Sequence, residues 1–145
     1  MTNKLFTLIA ITSIALLPAC SKAQTPMDGA QTQTQTQELK VTHINAAQAS
    51  EMMAARPGLV VLDVRTPSEF AASHIDGAIN IDYKNSNFAT KLADLDPSQD
   101  YLIHCRSGGR STSSLKTFKR LGFSHIIHMD GGMIGWDKAN LPTVR

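Results

Sequence analysis

Cysteine is scarce in this 145-residue chain. Only Cys20 and Cys105 occur, too few for a disulfide scaffold, and their contexts do not suggest a pair. A marked excess of one charge sign is also missing. A formal net charge of +2 creates no global field for nucleic acid, so no nucleic-acid partner is expected. No apolar run approaches the ~20 residues of a membrane-spanning helix. A P-loop, a paired-cysteine metal site and a His-Glu-x-x-His helix are absent too, so no metal and no cofactor is expected. The last absence is local. Between Asp100 and Asp130 there is no acidic residue, while Arg106, Arg110, Lys116, Lys119 and Arg120 are all basic. Against these gaps, 42% hydrophobic and 18% charged residues fit one globular domain with a single core.

The N-terminus reads as an address. Lys4 precedes an apolar stretch from Leu5 to Leu17, and Pro18 and Ala19 lead to Cys20. A basic start, a short apolar segment and a small residue before a cut site make a secretory signal over residues 1–19. Leu17-Pro18-Ala19-Cys20 resembles a bacterial lipobox, with Pro18 where a small or β-branched residue is usual. That resemblance implies cleavage before Cys20, a diacylglycerol on its sulfur and an acylated new N-terminus, which together anchor a protein stably to a membrane. The expected location is the bacterial cell envelope, lipid-anchored and facing the periplasm. Ser21 favours the outer membrane of a Gram-negative cell. Residues 20–37, with a Gln-Thr tract from Gln31 to Gln37, read as a tether with an r.m.s. reach of about 23 Å.

Strand and helix signals alternate over residues 38–145. Leu39 to Ile44 suits a short strand, and Asn45 caps a helix over Ala46 to Ala55. Leu59-Val60-Val61-Leu62 and Tyr101-Leu102-Ile103-His104 are continuous β-rich runs, the pattern of strands covered on both faces. Thr66-Pro67-Ser68-Glu69 is a capping box with proline at the first helical position. A strand is expected over Ala78 to Ile81 and a helix over Phe88 to Leu95. A further helix should run from Arg110 to Leu121, followed by a strand from His125 to Met129 and a short helix around Trp136. The expected fold is a single α/β domain with a mostly parallel sheet flanked by helices.

Cys105-Arg106-Ser107-Gly108-Gly109-Arg110-Ser111 joins a buried strand to a helix. Ligands bind at the carboxyl ends of strands in such sheets. A loop entering a helix points several backbone N–H groups at one spot, where the macrodipole also favours an anion. Gly108 and Gly109 allow the positive φ angles that curl those amides into a nest. Lowering a cysteine pKa by ~1.5 units from ~8.5 takes ~2 kcal/mol. A helix terminus supplies ~0.3–1 kcal/mol when exposed and up to ~2 when partly buried. Arg106 and Arg110 are expected to add the rest and to attract an anion, Arg110 alternatively pinning the loop, so no histidine base is required.

Further motifs flank the Cys105 loop: Leu62-Asp63-Val64-Arg65 with Glu69-Phe70, His74-Ile75-Asp76-Gly77-Ala78-Ile79-Asn80, and Gly131-Gly132-Met133-Ile134-Gly135-Trp136. On these residues the chain, from about Glu38 to Arg145, resembles the rhodanese family of sulfurtransferases. The resemblance implies a single rhodanese-like domain. It also implies that Cys105 takes a sulfane sulfur from a small anionic donor such as thiosulfate, holds it as a persulfide and passes it to a thiophilic acceptor, a protein thiol included. Arg106, Ser107, Gly108, Gly109 and Arg110 would bind the substrate and cradle the terminal sulfur.

Other polar residues read as structural. Asp63, Arg65 and Glu69 are expected to form one fixing ion-pair network, and His74 to bond backbone in a turn. His104 should face away from its neighbour Cys105. His125 and His128, three apart on a strand, should face opposite ways and make a poor metal pair. The rival enzyme class is a phosphatase or arsenate reductase, whose loops place five residues between cysteine and arginine; only four separate Cys105 from Arg110. A membrane-tethered persulfide carrier or protein-binding module is the other alternative.

Overall fold

The computed structural model describes residues 38–145, which fall within one compact unit. The signal segment 1–19, Cys20 and the tether up to residue 37 lie outside the described residues. Ten elements alternate along the chain. They are β1 (Lys40–Ile44), α1 (Ala46–Ala55), β2 (Val60–Asp63), α2 (Pro67–Ala72), β3 (Ile79–Asn80), α3 (Phe88–Ala93), β4 (Asp100–His104), α4 (Gly109–Arg120), β5 (His125–Met129) and α5 (Gly132–Lys138). The five strands form one parallel sheet in the order β1-β5-β4-β2-β3.

Local sequence explains most boundaries. Asn45 and Thr66 each close a capping box, with Gln48 and Glu69 returning a side-chain oxygen to the cap residue's own N–H. Pro67 sits in the first turn of α2, where its missing N–H costs nothing. β3 is shorter than the expected Ala78 to Ile81 and forms an edge of the sheet, paired with β2. Its Asn80 side chain donates to the carbonyls of Asp63 and Arg65, both at 2.9 Å, beside the Ile81 N–H, which donates to the Asp63 carbonyl at 3.0 Å. α3 ends at Ala93, two residues short of the expected Leu95.

The sheet separates two apolar layers. On one face Leu62, Ile103, Cys105 and Ile126 pack with Phe88, Leu92 and Phe118 from α3 and α4. On the other, Val61, Leu102, Ile127 and Met129 pack with Ala46 and Ala49 of α1 and with Met133 and Trp136 of α5. Alternate residues of β2, β4 and β5 thus supply opposite faces, as the pleat requires. Among the described residues no helix is long and apolar enough to cross a membrane.

Phe118 anchors the layer beneath the Cys105 loop. Fully buried, it meets Phe123 edge-on at 5.0 Å and Phe88 at 6.5 Å between ring centroids. Phe118→Ala is expected to cost about 3–5 kcal/mol through lost burial and a residual cavity. Urea unfolding midpoints measure this; a loss below about 1 kcal/mol would mean that the layer collapses around the gap.

Candidate active site: the Cys105 loop

Cys105 lies immediately beyond β4, at the carboxyl end of a central strand. Gly108 then takes a left-handed conformation (φ +101°) that turns the chain into α4. A residue with a Cβ would be strained there. The turn aims the Gly108 N–H at the Cys105 Sγ, 3.2 Å away, and the Ser111 hydroxyl lies 3.5 Å from the same sulfur. Burial works against the thiolate. Even so, the Ser111 hydroxyl and the N–H groups of Ser111, Ser107 and Gly108 outweigh it and hold the Cys105 thiol below its ordinary value.

A second turn braces the loop from behind. The N–H groups of Met133 and Ile134, at the start of α5, donate to the carbonyls of Cys105 and Arg106 at 2.9 and 3.0 Å. This approach requires glycine at 132, whose φ is +53°. A Cβ there would run into the Cys105 carbonyl oxygen and the Arg106 backbone.

The two loop arginines differ. Arg110 makes a bidentate pair with Glu69, both bonds at 2.7 Å, tying the first turn of α4 to α2. Glu69, helped by the same guanidinium, falls from 4.5 to about 2. Arg110 is pushed up chiefly by Glu69, and the Cys105 sulfur adds to that. Arg106 is exposed, and among the described residues its guanidinium forms no ion pair. Of the two roles expected of Arg110, attracting the donor or pinning the loop, the pair with Glu69 supplies the pin, which leaves Arg106 as the unpaired loop guanidinium among the described residues. The expected Asp63–Arg65–Glu69 network likewise divides in two. Asp63 binds Arg65, with bonds of 2.6–3.0 Å, and Arg65 also holds the Ser73 carbonyl.

The histidines separate by face. His104 is fully buried opposite Cys105, and its Nε2 has no hydrogen-bond partner. Burial pushes His104 below its ordinary value against the pull of Asp63. His74 bonds the Phe70 carbonyl through Nδ1 at 3.0 Å and stacks on the Phe70 ring, as a turn residue. His125 contacts Thr42 and Asp100. His128 points the other way, with Nε2 2.9 Å from the Ser111 Oγ. The sequence reading missed Ser111 and His128, yet parity places them. His128 pairs in register with Ile103, and Cys105, two residues beyond Ile103, shares that face.

Glu69→Gln tests the anchor. A carboxylate with a depressed pKa stabilises the fold above its unfolded value, and that stability is lost as pH falls. The contribution of Glu69 should therefore be complete above about pH 4.5 and fade towards about 2. The pair is partly exposed, so Glu69→Gln should cost about 1 kcal/mol at pH 7 and less at pH 3. An equal cost at both values, read from urea unfolding, would contradict this.

The domain is similar to known proteins. The family model described as the rhodanese-like domain matches residues 45–139. A rhodanese-related protein from Thermoplasma volcanium superposes with a TM-score of 0.62 at 32% identity, covering 71% of this chain and 97% of that one. Thiosulfate sulfurtransferase 16 of Arabidopsis thaliana is 36% identical over 92 residues, 57% of this chain and 77% of the relative. The probable adenylyltransferase/sulfurtransferase MoeZ of Mycobacterium tuberculosis is 36% identical over 86 residues, 59% of this chain. The chain spans 22% of the length of MoeZ and 55% of a Synechocystis relative. Because that family model spans well over half of the sequence, the chain belongs to the rhodanese-like domain family.

Proposed function

We propose that the chain is a sulfurtransferase that moves a sulfane sulfur from a small anionic donor, thiosulfate or a similar compound, to a thiophilic acceptor. The observation that carries this reading is the convergence of the Gly108 N–H and the Ser111 hydroxyl on a single cysteine sulfur. The Arabidopsis relative, named a thiosulfate sulfurtransferase, supports the choice of donor.

The chemistry is covalent catalysis in two displacements. The Cys105 thiolate attacks the outer sulfur of thiosulfate, a new S–S bond forms, and sulfite leaves with the electron pair of the bond that breaks. A nucleophile such as cyanide or a protein thiolate then attacks the terminal persulfide sulfur, and Cys105 departs as thiolate. Both steps balance without an external oxidant. Arg106 attracts the anionic donor, while the Ser107 and Gly108 amides bear the negative charge on sulfur. Cys105 is only 1% exposed, which favours delivery of one small atom over a bulky group. The four residues between Cys105 and Arg110 leave less room than the five of phosphatase and arsenate reductase loops, which must surround a tetrahedral oxyanion. The expected outcome is thiosulfate-dependent thiocyanate formation by the wild type and none by a folded Cys105→Ser variant, whose alcohol cannot form a persulfide. Aryl-phosphate hydrolysis by the wild type without sulfur transfer would overturn the reading.

The N-terminal sequence supports a location. Cys20 is proposed to carry the lipid that holds the domain to the cell envelope, with residues 20–37 as the tether. Wild-type protein should partition with membranes, and Cys20→Ala should not. Recovery of both as soluble periplasmic protein would refute the anchor.

A further inference from the structure

Beyond the loop amides, a chain of side chains leads away from the Cys105 sulfur. Ser111 Oγ stands 3.5 Å from Sγ, His128 Nε2 is 2.9 Å from Ser111 Oγ, and His128 Nδ1 is 2.8 Å from Asp130 Oδ1. His43 Nδ1 reaches the same carboxylate oxygen at 3.0 Å. Three strand ends and the first turn of α4 contribute to this line, and His128 itself is 2% exposed. The groups facing His128 are His43 from β1, Ser111 and Thr112 from α4, and Asp130 beyond β5, and Cys105 beyond β4 is reached through Ser111. Lys138 of α5 lines the same surface hollow as Asp130. Among the described residues, however, the ion-pair partners of Asp130 are the two histidines.

A proton count decides how the line is used. Gly108 O lies 2.9 Å from the Ser111 hydroxyl, the Thr112 hydroxyl and the Thr112 N–H. Asp130 is an acceptor, held as carboxylate by its bonds to His43 and His128. His128 therefore donates its Nδ1 proton to Asp130. A neutral imidazole then has an Nε2 lone pair, which takes the single Ser111 proton and leaves none for the sulfur. An imidazolium donates from Nε2 to Ser111 Oγ and, at 3.3 Å, to Thr112 Oγ1. The Thr112 proton then goes to Gly108 O, and the Ser111 proton is free for a thiolate.

We propose that His128 is a positioning residue that stores the Cys105 proton, through Ser111, as an imidazolium paired with the thiolate. The S–H bond breaks as Ser111 Oγ takes the proton and passes its own to His128 Nε2; the electron pair stays on sulfur and net charge is conserved. When the acceptor has removed the terminal sulfur, Cys105 departs as the thiolate, which the imidazolium again partners through Ser111. The inference rests on Cys105 as the nucleophile, but its test does not need sulfur transfer.

The test uses full-length chain. Thiolate absorbance at 240 nm is followed against pH, each protein being read against its own Cys105→Ser counterpart so that Cys20 and the tyrosines cancel. His128→Gln keeps an amide donor towards Ser111 but cannot take a proton, and Ser111→Ala cuts the line. In each, thiolate formation should move up by about one pH unit, roughly tenfold less thiolate at a pH below both midpoints. The double variant should add little, since the two act as one unit. Coupling is reciprocal, so the His128 ring followed by NMR in otherwise unaltered protein should titrate at lower pH when Cys105 is Ser. An unchanged Cys105 midpoint in folded His128→Gln, or an unchanged His128 midpoint in Cys105→Ser, would overturn the proposal. Linked titrations in a protein that transfers no sulfur would uphold the relay and sink the function. Sulfur transfer with unlinked titrations would do the reverse.

Discussion

Everything at the carboxyl end of the sheet depends on keeping several hydrogen-bond donors aimed at one buried sulfur. A thiol 1% exposed to solvent ionises only if the protein replaces the water that would otherwise solvate the anion. Here the replacement is built from the Gly108 and Ser107 amides and from Ser111. Such donors act without reorganising only if the loop cannot relax. Gly108 sets the turn, Glu69 fixes Arg110 at its far end, and the first turn of α5 holds the Cys105 and Arg106 carbonyls from beneath.

The parallel sheet makes this economical in chain. β4 lies between β5 and β2, so its end is flanked by two strand ends and two layers of helices. Alternation along β4 sends His104 into one apolar layer and Cys105 into the other. The site therefore takes its donors from the Ser107–Gly108 loop and the first turn of α4, its brace from α5 and its clamp from α2.

Much of this was legible beforehand because it is encoded locally. The capping boxes at Asn45 and Thr66 and the buried runs of β2 and β4 depend on adjacent residues, and so does the turn at Gly108, although Gly109, expected to share its positive φ, is already the first residue of α4. What escaped the sequence depends on partners across the fold. Glu69 begins as a cap residue, and nothing near it in the chain announces that Arg110 will close on it. Asp63 and Arg65 look like neighbours in a larger network until the structure turns Glu69 away from them. His128 was placed on the correct strand, but its contact with Ser111 needs the β4–β5 register and the position of α4 together.

The central claim is that the loop holds a single sulfur atom covalently on Cys105. Intact-mass spectrometry of the purified chain after exposure to thiosulfate, followed by fragmentation to locate any adduct, tests it most directly. The account predicts a mass increase of one sulfur atom, confined to Cys105 and removed by cyanide. A chain that keeps its original mass, or gains sulfur at a residue other than Cys105, would contradict it.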